Sequence, residues 1–263
     1  MSTQNVTMPH GEGKPLVSVI MPMHNAAKVL SESIESVINQ TYTSWELIVI
    51  DDSSNDDSMS IAQSYASRDD RIRVLSNPHH NGMPSAPRNF GIAAAKGRYI
   101  AFLDSDDLWH PDKLRQQLPL FDSHPSAAIV FSDYEKMSED GTRNNRVVRA
   151  PGCITYHQLL HCNFIGNLTG IYDTHKVGKV HVRDVHHEDY VMWLEILKQG
   201  YTAVNTGTVL AYYRLMSQSV SSRRLEVAMW PWRIYRQVLC FPWLKAVRYY
   251  LRYSWYVVRK NMI

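Results

Sequence analysis

Leu16 to Met21 (LVSVIM) and Glu46 to Ile50 (ELIVI) decide the fold. Each is a short apolar, β-branched run without polar alternation, the pattern of a strand buried on both faces. The first stops at Pro22 and the second at Asp51-Asp52. Between them Val29, Ile34, Val37 and Ile38 recur at helical spacing, and a gap of about twenty-five residues suits a strand, a crossover helix and a parallel strand. Connections of this kind are right-handed, so the stretch reads as one βαβ unit.

The alternation continues outward. Helices are expected over residues 56–67 and 85–95, and strands over 72–75 and 99–103. Gly97 stands where a helix end calls for a left-handed residue. Pro111 suits the first turn of a helix reaching Phe121, and residues 127–131 read as another strand. From Ser132 to Gly178 the pattern weakens, with a polar loop over 138–149, and this stretch reads as an excursion covering one side of the sheet. Periodicity returns at Tyr190, Trp193, Leu194 and Leu197, a helix ending at Gly200, followed by strand-like runs at 202–204 and 209–213. The expected class is α/β, a mostly parallel sheet flanked by helices. Three parts are expected: a disordered start over 1–14, a body over 15–223 and a helical tail over 224–263.

Composition agrees with a packed body. At 263 residues, 44% hydrophobic and 11% aromatic, the chain buries a substantial core, which excludes disorder as the default. Cys153, Cys162 and Cys240 are odd in number and widely spaced, suggesting neither a disulfide framework nor a zinc knuckle and pointing to a reducing compartment. No run of about eighteen apolar residues exists to span a membrane, and residues 1–14 lack the apolar stretch of a secretory signal. A soluble or peripheral protein is expected. Charge is uneven: from Arg223 onward there are nine Lys or Arg and one acid, Glu226, leaving 19 basic and 24 acidic residues before it. A basic tail on an acidic body implies an anionic partner.

In an open α/β sheet, ligands lie beyond the carboxyl ends of the strands. Three polar turns fall there: Pro22-Met23-His24-Asn25, Asp51-Asp52-Ser53-Ser54 and Asp104-Ser105-Asp106-Asp107. For Asp51, Ser53 and Asp56 helix capping explains the residues as well as function does. Three carboxylates within four residues are harder to explain structurally, because like charges repel unless a cation or hydrogen bonds offset them. Carboxylate oxygens suit Mg²⁺ or Mn²⁺, which hold a substrate diphosphate through their remaining positions. Neither familiar Gly-rich phosphate loop is present.

The order and spacing of SVIMPMHN (Ser18 to Asn25), INQTY (Ile38 to Tyr42), ELIVIDDSSNDDS (Glu46 to Ser58), PRNFGIAAAKGRYIAFLDSDD (Pro87 to Asp107), HED (His187 to Asp189) and YYRLMSQSVSS (Tyr212 to Ser222) resemble a family 2 glycosyltransferase of the bacterial cell-surface polysaccharide type. The resemblance covers residues 15–222 and implies a GT-A fold with inverting sugar transfer from a nucleotide donor, usually a uridine diphosphate sugar. It implies that Pro22 and Asn25 line the nucleotide pocket and that Asp52 accepts from the base. Arg88 contacts the diphosphate or donor sugar; Asp104, with Ser105, lies near the ribose and sugar; Asp106 is the metal ligand for Mn²⁺ or Mg²⁺; Asp189 is the general base. Family members often carry Tyr where His24 stands and His where Met216 stands. Met does not ligate a hard cation, so a weak metal site is expected. From the residues alone, His187-Glu188-Asp189 equally suits the N-terminus of the following helix.

The resemblance further implies a glycan or lipid-linked acceptor and a cytoplasmic enzyme at the inner face of the plasma membrane. The tail fits that setting. Residues 228–263 hold ten aromatics, and Lys245, Arg248, Arg252 and Arg259 fall on one helical stripe with Val247, Tyr250, Leu251, Ser254 and Val258 opposite. Such a helix lies along an anionic bilayer, or its apolar side packs on the body. The acidic body argues against nucleic acid. Two alternatives to a transferase stay open: a sugar-phosphate nucleotidyltransferase, which expects a Gly-rich basic loop after the first strand, and a non-catalytic sugar-nucleotide-binding scaffold.

Overall fold

The computed structural model describes residues 16–80, 82–216 and 224–262, with side chains omitted at 224–227 and 258–262. The expected start over 1–14, the second half of the 212–222 motif and the boundary at 223 lie outside them. The first βαβ unit forms as expected: β1 (Val17–Met23), α1 (Leu30–Ile38) and β2 (Trp45–Asp51). It is followed by α2 (Ser58–Ala66), β3 (Ile72–Ser76), α3 (Ser85–Ala94) and β4 (Tyr99–Phe102). Next come β5 (Leu108–Trp109), α4 (Lys113–Gln117), α5 (Pro119–Ser123), β6 (Ala127–Met137), β7 (Arg143–Val148) and β8 (Cys153–Ile154). The chain continues through α6 (Tyr156–Leu159), a 3₁₀ turn (Asn167–Thr169), β9 (Ile171–Asp173), α7 (Thr174–Val177), α8 (Glu188–Leu197) and β10 (Thr202–Arg214). The tail holds α9 (Arg224–Arg233), a π-helical turn (Ile234–Val238) and α10 (Trp243–Met262).

One sheet runs in the order β3-β2-β1-β4-β9-β6-β10-β5, with β7 added to β6 and β8 to β10. It is parallel from β3 to β4, and mixed beyond, where β9 runs antiparallel to both β4 and β6. Strand periodicity divides the buried side chains between two faces. Val19 and Met21 of β1 with Leu47 and Val49 of β2 pack against Leu30, Ile34 and Val37 of α1. Ile20, Ile48 and Ile50 point the other way, into a cluster shared with Ile92 of α3 and with Tyr190 and Trp193 of α8. Gly91 lets α3 approach, since a Cβ there would lie 2.7 Å from Ile20 and Ile50.

Several expectations change. Gly97 is not left-handed; α3 ends with extended Ala95, and Gly97 is required because a Cβ would meet the Ser18 amide nitrogen at 2.7 Å. The helix expected from Pro111 to Phe121 is two short helices meeting at Leu118-Pro119, since Pro119 supplies no amide hydrogen. Residues 132–178 join the sheet through β6, β7, β8 and β9 instead of covering it, and the expected polar loop contains β7. Its residues are mostly exposed, so no apolar alternation marks it. The two runs at 202–204 and 209–213 are one strand, interrupted in register around Gly207.

The tail packs on the body: Ile234, Tyr235, Phe241, Ala246 and Tyr253 belong to the cluster around α8. Leu251, expected among the apolar side that would pack, is instead 63% exposed. The packed face of α10 is displaced round the helix, centred on Ala246 and Tyr253. Among the described residues no helix is long and apolar enough to cross a membrane.

Candidate active site

The three polar turns meet at the carboxyl edge of the parallel strands. At the first two, hydrogen bonds are closed among the residues themselves. Pro22 pairs in register with Ile50, near the end of β1. Asp52, 7% exposed, accepts from Asn77 Nδ2 at 2.6 Å on one oxygen and faces His80 Nδ1 at 2.9 Å on the other. His24 Nδ1 lies 2.8 Å from the Asp52 carbonyl, and its ring stacks on His80 with centroids 5.7 Å apart. Asn25 Oδ1 accepts the Asn55 amide at 2.7 Å. Asp56, one residue before the N-cap of α2, accepts the Ser58 amide at 3.0 Å. Asn25 and Ser53 are left-handed at φ 50° and 65°, uncommon for residues with a Cβ.

The turn after β4 is different. Asp104 Oδ1 accepts from Arg88 Nη2 at 2.6 Å, and Arg88 also donates to Glu188. Although burial works against its charge, Asp104 and Glu188 hold the Arg88 guanidinium above its usual value. Burial, and then the neighbouring Asp104 carboxylate, push the Asp106 carboxyl up to about 6. Asp107 is buried and raised well above the carboxylate range by the same causes, although its side chain accepts the Arg214 amide at 2.9 Å. Arg214, 2% exposed, braces the turn from β10: Nε donates to the Asp106 carbonyl at 2.8 Å, Nη1 to the Glu139 carbonyl at 2.9 Å and Nη2 to Glu32 at 2.6 Å. The Ser105 carbonyl accepts from Ser33 Oγ at 2.8 Å.

A cleft of about 490 Å³ opens beside this turn, and Arg88, Asp104, Glu188 and Asp189 all line it. Pro22, Asn25, Asp52, Ser105 and Asp106 do not. Asp189, in the first turn of α8, accepts from Asn163 Nδ2 at 3.3 Å, whereas Glu188 beside it is committed to Arg88. Four cleft-lining residues carry buried polar atoms with no hydrogen-bond partner among the described residues: Arg88 Nε, both ends of the Asn167 amide, His187 Nδ1 and Trp230 Nε1. Buried groups of this kind are ordinarily met by water or by a bound polar group. Trp230 comes from α9, stacks on His186 at 4.9 Å and 3°, and so brings the tail into the site.

Among the described residues no group of three or more His, Cys, Asp or Glu is arranged to hold a metal ion. The donor set nonetheless fits a hard divalent ion that takes one or two carboxylates and leaves positions for substrate phosphates. Asp106 is a carboxylate short of compensating charge, and its raised protonation affinity is what a nearby cation would reverse. Met216 is half-buried and lines no part of the cleft. Trp109 is core, donating to the Leu168 carbonyl at 2.8 Å. Glu188, Arg214 and Trp230 were not singled out from sequence; HED and YYR held the first two, but only the fold reveals their partners.

A sheet parallel at its core, with an Asp-x-Asp turn beyond one of its strands, is the arrangement of a GT-A fold. The sequence model of glycosyl transferase family 2 matches residues 18–181, and the chain belongs to that family. It is 37% identical over 250 residues to the putative teichuronic acid biosynthesis glycosyltransferase TuaG of Bacillus subtilis, covering 95% of this chain and 98% of that one. It is 36% identical over 250 residues to the Escherichia coli UDP-Glc:alpha-D-GlcNAc-diphosphoundecaprenol beta-1,3-glucosyltransferase WfgD, covering 94% and 95% of the two. A structural neighbour, the mannosyltransferase PcManGT from Pyrobaculum calidifontis in complex with GDP-Man and Mn²⁺, superposes with a TM-score of 0.66 at 18% identity over 88% of this chain and 66% of that one.

Proposed function

We propose that the protein transfers a hexose from a uridine diphosphate sugar to a hydroxyl of a lipid-linked glycan, with inversion at the anomeric carbon. The observation that carries this reading is the convergence of Arg88, Asp104 and Asp189 on one cleft whose buried polar atoms lack partners. The E. coli relative, named for a UDP-Glc donor and a diphosphoundecaprenol-linked acceptor, supports both substrates.

In this reading Pro22, Asn25 and Asp52 hold the nucleotide, and Asp104 with Ser105 holds the ribose and donor sugar. Arg88 takes the diphosphate, its unpartnered Nε completing a guanidinium fork already anchored by Asp104 and Glu188. Asp106 would ligate Mn²⁺ or Mg²⁺, which when bound neutralises charge on the leaving diphosphate. Asp189 takes the proton of the acceptor hydroxyl as its oxygen bonds to the anomeric carbon and the bond from that carbon to the diphosphate breaks. One such displacement inverts the centre. Asp189→Asn is expected to keep donor binding and to lose about 10²–10⁴-fold in turnover of UDP-glucose with a diphospholipid-linked sugar; transfer at the wild-type rate would place the base elsewhere.

The tail adds a membrane-facing surface. On α10 the exposed Trp243, Leu244, Leu251 and Trp255 adjoin a basic sector of Lys245, Arg248 and Arg252, while Ala246 and Tyr253 pack inward. An apolar strip beside cations suits the headgroup region of an anionic bilayer. Leu244→Glu with Leu251→Glu should abolish flotation with anionic liposomes at unchanged melting temperature, and equal flotation would remove the idea.

A further inference from the structure

A second cavity of about 170 Å³ adjoins the cleft, and His186 and Trp230 line both. The two differ in charge. The cleft is walled by carboxylates, Asp104, Asp107, Glu188 and Asp189, whereas among the described residues no carboxylate lines the second cavity. Besides His186 and Trp230 its polar groups are Arg233 and Gln237, one helical turn apart, and its apolar wall includes Ile234 and Val238. These fall at i, i+1, i+4 and i+5 around the π-helical turn, a widened helical geometry frequent at functional sites. Arg233 has no acidic partner among the described residues, unlike Arg88 and Arg214, which are tied into the body by carboxylates. An arginine at the rim of a cavity, with no acidic partner among the described residues, is available to a phosphoryl group, which its planar fork of donors suits.

An acidic cleft next to a cavity with an arginine and apolar side chains offers partners to the sugar hydroxyls, the anionic ester and the first hydrocarbon units of a lipid-linked sugar. We propose that this pocket holds the phosphoryl group of a lipid-linked acceptor, whose sugar reaches past His186 and Trp230 into the cleft. The assignment rests on the lipid-linked acceptor of the reading above and adds where its anionic end sits. The stacked His186–Trp230 pair forms the wall between the two compartments, and the buried Trp230 Nε1, which has no partner among the described residues, is the donor available to a substrate oxygen passing it. Arg233 is thus a binding residue for the acceptor, apart from donor chemistry.

The test is calorimetric binding of farnesyl diphosphate, farnesol and inorganic pyrophosphate to the full chain with Mn²⁺ and saturating UDP, so that the donor site is filled. Wild type, Arg233→Ala and Arg233→Lys are compared. Farnesyl diphosphate is expected to bind wild type, to weaken at least tenfold in Arg233→Ala and less in Arg233→Lys, with farnesol bound far more weakly throughout. Arg233 is exposed, so both variants should fold, and their UDP-glucose affinity should match wild type. Equal farnesyl diphosphate binding by wild type and Arg233→Ala overturns the proposal. So does pyrophosphate binding as tight and as dependent on Arg233, which would make this a free-anion site. UDP-glucose binding by wild type is read separately: its failure strikes the donor reading, whereas the Arg233 comparison alone decides the pocket.

Discussion

Two acidic turns stand at the same edge of the sheet and are balanced in opposite ways. Asp52, after β2, has one carboxylate oxygen on Asn77 and the other against His80. Asp106, after β4, is half-buried near Asp104 and has its carboxyl pushed up to about 6. The first turn satisfies its charge within the protein. The second leaves a carboxyl that Arg214 and Arg88 offset only in part, and on the proposed function the difference would separate an acid that shapes the nucleotide pocket from one that takes a cation.

The comparison breaks most decisively at Asp106. Asp106→Asn should lower kcat/KM with Mn²⁺ by about 10³-fold, the scale of losing several kcal/mol of metal-based charge stabilisation. The same variant should be more stable than wild type without metal. The native carboxyl holds its proton up to about pH 6, so wild type loses stability as pH rises from the unfolded carboxyl value near 3.8 through 6. Asp106→Asn avoids that loss, on the order of 2 kcal/mol above pH 6 and nothing near pH 4, read as urea midpoints at both pH values.

Arg214→Met tests the brace behind the same turn. It leaves the Asp106 and Glu139 carbonyls without their donor and should cost about 2–4 kcal/mol in denaturant unfolding, since a buried guanidinium and its hydrogen bonds are lost together. The smallest effect is expected at Asp52. Asp52→Asn should raise KM for UDP-glucose about tenfold, roughly 1.4 kcal/mol, without moving the Mn²⁺ concentration for half-maximal activity. A shift in that Mn²⁺ midpoint would erase the distinction between the turns.

The parallel half of the fold was legible because β1 and β2 are buried on both faces, which writes an unbroken apolar run into the chain. β7 was not, since its side chains face solvent and its pairing with β6 leaves no periodic mark. The Asp104 turn was legible as a crowd of like charges within four residues. Arg214 and Glu188 were not, because each acts through a partner about a hundred or more positions away. The sidedness of α10 was misread at Leu251, since a helix with apolar residues on two sectors does not announce which one the body covers.

Trp230 lines a cleft whose walls at Arg88 and Asp104 come from the first half of the chain, and the family match ends at residue 181. The portion that would select what is glycosylated therefore lies downstream of the portion that would handle the activated sugar. Grafting a C-terminal segment from a homologue is the direct route to redirecting such an enzyme, and trimming that segment to ease crystallisation would remove a wall of the reaction chamber.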